Sequence, residues 1–155
     1  LEDQLVLRFG DALPNAVEAV TAVGADPVTI DQLLARLQGM APELTQEPEG
    51  AGVLASIGRE ISQLFVFRTE DTPSPRPQSR LQRARLFLES GRIGAAVAEV
   101  RNMPNPARAQ AWIADAERLA KAQEALERLE TTAILEPRRL RDGSGNTVEQ
   151  PSPAA

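Results

Sequence analysis

Hydrophobic positions recur at helical spacing along most of the chain, and prolines and glycines mark where each run stops. Over residues 1–23 the spacing is interrupted once, near 10–14, and Pro14 suits the first turn of a second short helix. Gly24, Asp26 and Pro27 then form a turn. Thr29 and Gln32 make a capping-box pair that opens a helix over residues 30–40. Its apolar positions Ile30, Leu33, Leu34 and Leu37 share one face, and Gly39 and Pro42 end it. Residues 42–52 hold Pro42, Pro48, Gly50 and Gly52 among Glu and Gln, which reads as a flexible acidic linker.

The cleanest separation of apolar and polar positions lies in residues 53–67. Spaced at about 100° per residue, Val53, Leu54, Ile57, Ile61, Leu64 and Phe65 fall within about 120° of arc. Ser56, Arg59, Glu60, Ser62 and Gln63 fill the rest of the circumference. Helical register fails at Val66 and Phe67, and Arg68 closes the run. Such a helix either lies in the headgroup layer of a membrane or packs its stripe on a protein core. Prolines 73, 75 and 77 follow at alternate positions and make residues 69–78 a stiff, extended spacer.

Residues 79–90 read as a helix with Leu81, Ala84, Phe87 and Leu88 inward, stopped by Gly91. Residues 93–102 form its antiparallel partner through Ala96, Val97 and Val100. Asn105 and Pro106 open a long helix that runs to about residue 135. Its seam, Ala109, Trp112, Ala116, Leu119, Gln123 and Leu126, alternates steps of three and four and suits packing on another helix. About 30 helical residues span roughly 45 Å, three times the reach of a ten-residue hairpin helix. The uncovered seam therefore meets solvent, the earlier helices or a second chain. The expected fold is all-α: short helices, an amphipathic helix, then a helical hairpin plus one long helix, bundling with a second chain. The expected segments are 1–41 (helical), 42–52 (linker), 53–68 (amphipathic), 69–78 (spacer), 79–135 (helical domain) and 136–155 (disordered tail).

Composition narrows the chemistry. The 155 residues include no His, Cys or Tyr, and Lys occurs once, at Lys121. Imidazole bases, thiolates and His/Cys metal sites are therefore absent from the sequence. Asp142-Gly-Ser-Gly-Asn146 is superficially like a calcium loop, but Thr147 and Pro153 stand where that loop needs Gly and a bidentate Glu. We expect no catalytic residues, no metal and no cofactor. A net charge of −5 argues against nucleic acid as a partner. The charge is uneven: residues 1–75 carry 4 basic and 12 acidic groups, and residues 76–108 carry 7 basic and 2 acidic. The arginines of that basic island are either solvated helix faces or lipid-headgroup contacts.

The order of elements resembles a known family. The run RLQRARLFLESGRIGAAVAEVRNMPNPARAQAWIADAERLAKAQEALERL, residues 80–129, is similar to the C-terminal domain of the mitofilin family in its alphaproteobacterial form. The hairpin pattern at 84–100, the Pro104–Ala107 entry and the stretch at 111–126 carry the likeness, which extends over about residues 5–135. The Pro-rich spacer departs from the family pattern. The resemblance implies a membrane-anchored, non-enzymatic protein of inner-membrane or crista-type organisation, its soluble part facing the periplasm in bacteria. It implies that residues 53–67 bind lipid and that 79–135 form the mitofilin domain. The chain opens on Leu1, which reads as a piece of a longer protein with its anchor upstream.

Together these readings point to a membrane-shaping scaffold. Its membrane-binding residues are Val53, Leu54, Ile57, Ile61, Leu64, Phe65, Phe67, Arg59 and Arg68. Arg80, Arg83, Arg85 and Arg92 are candidates for anionic headgroups. Trp112, Ala116, Leu119 and Leu126 would serve self-association into a homo-oligomer, a dimer being the commonest solution; Trp112 reads equally as intramolecular core. Other membrane-organising proteins are further partners implied by the resemblance. The alternative is a helical adaptor without lipid contact, since residues 80–102 are also similar to one tetratricopeptide hairpin, although no second copy of the repeat is present.

Overall fold

The computed structural model describes residues 1–46 and 76–149. The amphipathic segment 53–68, with linker residues 47–52 and spacer residues 69–75, lies outside the described residues. Among the described residues the fold is all-α. The described helices are α1 (Glu2–Phe9), α2 (Pro14–Ala25), α3 (Ile30–Thr45), α4 (Pro77–Glu89), α5 (Ile93–Arg101) and α6 (Gln110–Leu135), with 3-10 turns at Pro106–Ala109 and Pro137–Arg139. None of these helices is long and apolar enough to cross a membrane.

The helices gather into two compact units, Thr29–Ala116 and Leu1–Val28 with Glu117–Ala155. This division cuts across the segments expected from the sequence. Residues of α3 join the α4–α5 hairpin instead of an N-terminal segment, and the second half of α6 belongs with α1 and α2.

In the Thr29–Ala116 unit, α3 begins as expected. The Thr29 hydroxyl accepts from the Gln32 N–H at 3.2 Å while the Thr29 N–H donates to the Gln32 side chain at 3.1 Å. The helix does not stop at Gly39 or Pro42 and runs to Thr45. Pro42 removes one N–H from the ladder. Complete burial of Leu44 and a bond from the Thr45 hydroxyl to the Ala41 carbonyl at 3.0 Å hold the last turn in place. Likewise α4 starts at Pro77, inside the expected spacer, because a first-turn proline has no N–H to lose.

The α4–α5 connection is a Schellman cap. The Gly91 N–H donates to the Leu88 carbonyl at 2.9 Å and the Arg92 N–H to the Phe87 carbonyl at 2.7 Å. Gly91 sits at φ +74°, the left-handed region that favours glycine. The Arg92 guanidinium lies 4.7 Å from the Phe87 ring centroid, so a cation–π contact occupies the place where such caps usually have an apolar one. The hairpin buries Ala84, Leu88, Ile93, Ala96, Val97 and Val100, and α3 packs on α4 and on the Pro106–Ala109 turn.

The other unit has a thinner core. Ala16 and Val17 of α2 meet Ala125 and Leu129 of α6, with Leu5, Phe9, Leu13, Ala19 and Val20 packed around them. The expectation of a disordered tail after residue 136 fails as far as residue 149. Leu140 is buried, and the Arg141 N–H donates to the Arg8 carbonyl at 3.1 Å. The Arg141 guanidinium pairs with Asp11 at 2.6 Å. Asp142 accepts from the Ser144 and Asn146 N–H groups at 2.8 and 2.9 Å. These bonds convert the calcium-loop look-alike into a self-satisfied turn, and they hold the Asp142 carboxyl below its ordinary value, the Asn146 N–H contributing most.

Two glycines test the helix assignments with opposite signs. Gly39 lies inside α3 with open space where a Cβ would project. Gly39→Ala is expected to stabilise the protein by about 0.5–1 kcal/mol through helix propensity. Gly91→Ala also meets open space but must adopt the left-handed conformation, at a cost of about 1–2 kcal/mol. Urea denaturation followed by circular dichroism measures both, and a shift of the same sign for the two would contradict the assignments.

Candidate functional site: hairpin arginines and the long-helix seam

The four headgroup candidates differ in what already holds them. Arg80 and Arg83 lie three residues apart on one face of α4, and both reach Glu99 of α5. Arg83 makes a two-pronged contact, Nε to Oε1 and Nη2 to Oε2, both at 2.9 Å. Arg80 adds a bond to Oε2 at 3.3 Å. All three side chains are largely shielded from solvent. Two of the four expected headgroup arginines are therefore committed to locking the hairpin. Glu99 was not singled out in the sequence, although Arg at i and i+3 of one helix opposite a carboxylate on its hairpin partner is the available signal. Arg85 is exposed, and Arg92 is exposed above Phe87.

The Arg83 hydrogen bonds, aided by the charges of Arg83 and Arg80, hold the Glu99 carboxyl below its ordinary range, and Glu99 in turn raises Arg83.

The seam of the long helix is also partly closed. Trp112 is completely buried, and its indole N–H donates to the Leu33 carbonyl at 2.8 Å. Arg36 reaches Asp115 at 2.6 Å, pinning α3 to the same stretch. Ala116 is completely buried. The role of Trp112 and Ala116 as self-association residues is therefore corrected: they are intramolecular core, and their surface is already covered. Leu119 is half-buried, and Leu126 is 46% exposed. Beyond Ala116 the buried stripe runs through Ala122, Ala125, Leu129 and Thr132 in place of Gln123 and Leu126. Each step of three residues turns the buried face by about 60° relative to the helix axis. Successive steps of three from Ala116 thus carry the stripe away from the expected seam. The alanines in it gave little signal, because small residues add little to apolar periodicity.

The membrane-binding residues Val53, Leu54, Ile57, Arg59, Ile61, Leu64, Phe65, Phe67 and Arg68 all lie outside the described residues. Among the described residues no three Asp or Glu side chains gather as a metal site. A shallow cleft of about 390 Å³ along the second half of α6 and the turn after it is lined by Leu13, Glu127, Arg128, Thr131 and Arg139 among others, a mixture of charges without a focused acid or base. No protein-family model, no curated protein and no solved structure matches the chain.

The depressed Glu99 carboxyl fixes the sign of a pH effect. Its contribution to stability is present above the ordinary carboxylate range and is lost as pH falls through the folded-state value. Glu99→Gln should cost on the order of 1–3 kcal/mol at neutral pH. Its deficit relative to the parent should shrink on acidification below the ordinary carboxylate range. Urea midpoints across a pH series check this, and a deficit independent of pH would remove the charge-assisted account.

Proposed function

We propose that the chain is a non-enzymatic, membrane-shaping scaffold, mitofilin-like in its order of elements, acting at an inner membrane with this part of the protein facing the periplasm. The observation that carries the reading is the apolar stripe Val53, Leu54, Ile57, Ile61, Leu64 and Phe65, set between an acidic linker and a proline spacer. The resemblance supports it by placing a lipid-binding segment at the same point in the order. Of the four headgroup candidates, Arg85 and Arg92 are the exposed ones, able to add attraction to anionic lipid, on the order of 1 kcal/mol each near the surface. Self-association into a dimer belongs to the same proposal, with Leu119 and Leu126 as the seam residues that still present apolar surface.

A helical adaptor is the second reading. It is favoured by Leu86, 61% exposed on α4 beside Arg85, a surface that suits a protein partner as well as a lipid.

Liposome co-sedimentation separates the two. Ile57→Asp with Leu64→Asp places two charges in the stripe, and partition to anionic vesicles should weaken at least about tenfold. Parent binding should also fall as salt rises, through the exposed arginines. Sedimentation of the folded double variant at the parent's level would remove residues 53–67 as the membrane element, and failure of the parent to bind would favour the adaptor.

A further inference from the structure

Among the described residues of the Thr29–Ala116 unit, Leu86 is the one strongly exposed large apolar side chain, at 61%. Its backbone is held, since the Ser90 N–H donates to the Leu86 carbonyl at 3.0 Å and the cap at Gly91 follows. Ala84 and Leu88, two residues before and after it, are completely buried. At about 100° per residue, Leu86 therefore projects from the face of α4 opposite the core, with Arg85 on one flank and Phe87 on the other. Arg85 is exposed, and the exposed Arg92 lies over the Phe87 ring. The closed end of the hairpin is thus an apolar apex between two cations. Glu89 is the one acidic residue of α4.

We propose that this end of the hairpin is a second membrane contact, with Leu86 entering the headgroup layer and Arg85 and Arg92 at anionic headgroups. This rests on the membrane reading above and adds to it a contact separate from residues 53–67. Charge supports it. The described residues of the Thr29–Ala116 unit carry 8 basic and 5 acidic groups, and those of the other unit carry 7 basic and 12 acidic. An anionic surface attracts the first unit and repels the second. The tether supports it as well. Residues 47–75 leave this unit after α3 and rejoin it before α4. Arg68 is nine residues from Pro77, at most about 32 Å of chain, and Leu86 stands about 14 Å further along α4. A stripe bound to a membrane keeps the hairpin end within reach of the same surface, where a weak second contact gains from high effective concentration. One leucine between two cations is too small for the buried centre of a protein interface and is sufficient as an added contact to lipid.

The full chain is co-sedimented with vesicles of phosphatidylcholine containing phosphatidylserine, and with vesicles of phosphatidylcholine alone. Leu86→Gln should weaken partition to the anionic vesicles about tenfold. Arg85→Gln with Arg92→Gln should also weaken it about tenfold, with that loss confined to the anionic vesicles. Ile134→Gln, an exposed apolar position in the other unit, should bind at the parent's level. Parent-level binding of both hairpin variants, with Ile57→Asp and Leu64→Asp together still impaired, overturns the hairpin contact and leaves the stripe as the membrane element. Equal losses from Ile134→Gln and Leu86→Gln also overturn it, because the effect then belongs to no particular face. A parent that binds neither vesicle overturns the hairpin contact and the membrane reading together.

Discussion

The indole of Trp112 organises the Thr29–Ala116 unit. It is the largest completely buried side chain, and it has one polar atom to satisfy. That atom donates to the Leu33 carbonyl, 79 positions earlier in the chain. A bond of this kind demands that α3 present its first turn to the start of α6, and the neighbouring Arg36–Asp115 pair holds the same register. Leu33, Leu37 and Leu44 follow from it: once α3 is held at one end, its apolar face is committed along its length, through Pro42 to Thr45. Loss of so large a buried aromatic typically costs about 3–5 kcal/mol, a large share of the stability of a domain this size.

The unit formed by the two chain ends is built on a different economy of contacts. Alanines allow α2 and α6 to approach, but each buries little area, so packing alone is modest. Polar closures supplement it. Arg141 joins Asp11 and the Arg8 carbonyl, Arg118 reaches Asp26 at 2.7 Å, and the Asp142 turn satisfies its own N–H groups. Exposed ion pairs contribute little individually. At the end of α6, Ile134 and Leu135 stay 75% and 72% exposed.

Charge has been sorted by pairing as much as by sequence. Seven arginines in residues 76–108 look like a basic face when counted. Glu99 takes two of them inward, and Arg108 faces Glu43 at 3.6 Å. What remains available to an anionic surface is smaller and more local than the count implies, which places the weight of the scaffold proposal on the apolar stripe of residues 53–67.

The helical class, the break at Pro14, the Thr29–Gln32 box, the Gly91 stop and the inward faces of the hairpin were legible in the residues, because each depends on neighbours within one or two turns. Caps, left-handed glycines and apolar periodicity are local physics. The apolar stripe at 53–67, on which the candidate membrane site depends, lies outside the described residues. Tertiary structure decided the rest. That α3 continues through a proline, that the tail from 137 to 149 is ordered, that the buried stripe of α6 turns toward Ala122 and Leu129, and that Arg80 and Arg83 close on Glu99 all require partners distant in sequence. A proline's lost bond or an arginine's charge has no fixed consequence until another element supplies buried surface or a carboxylate, and only the packed chain brings those within reach.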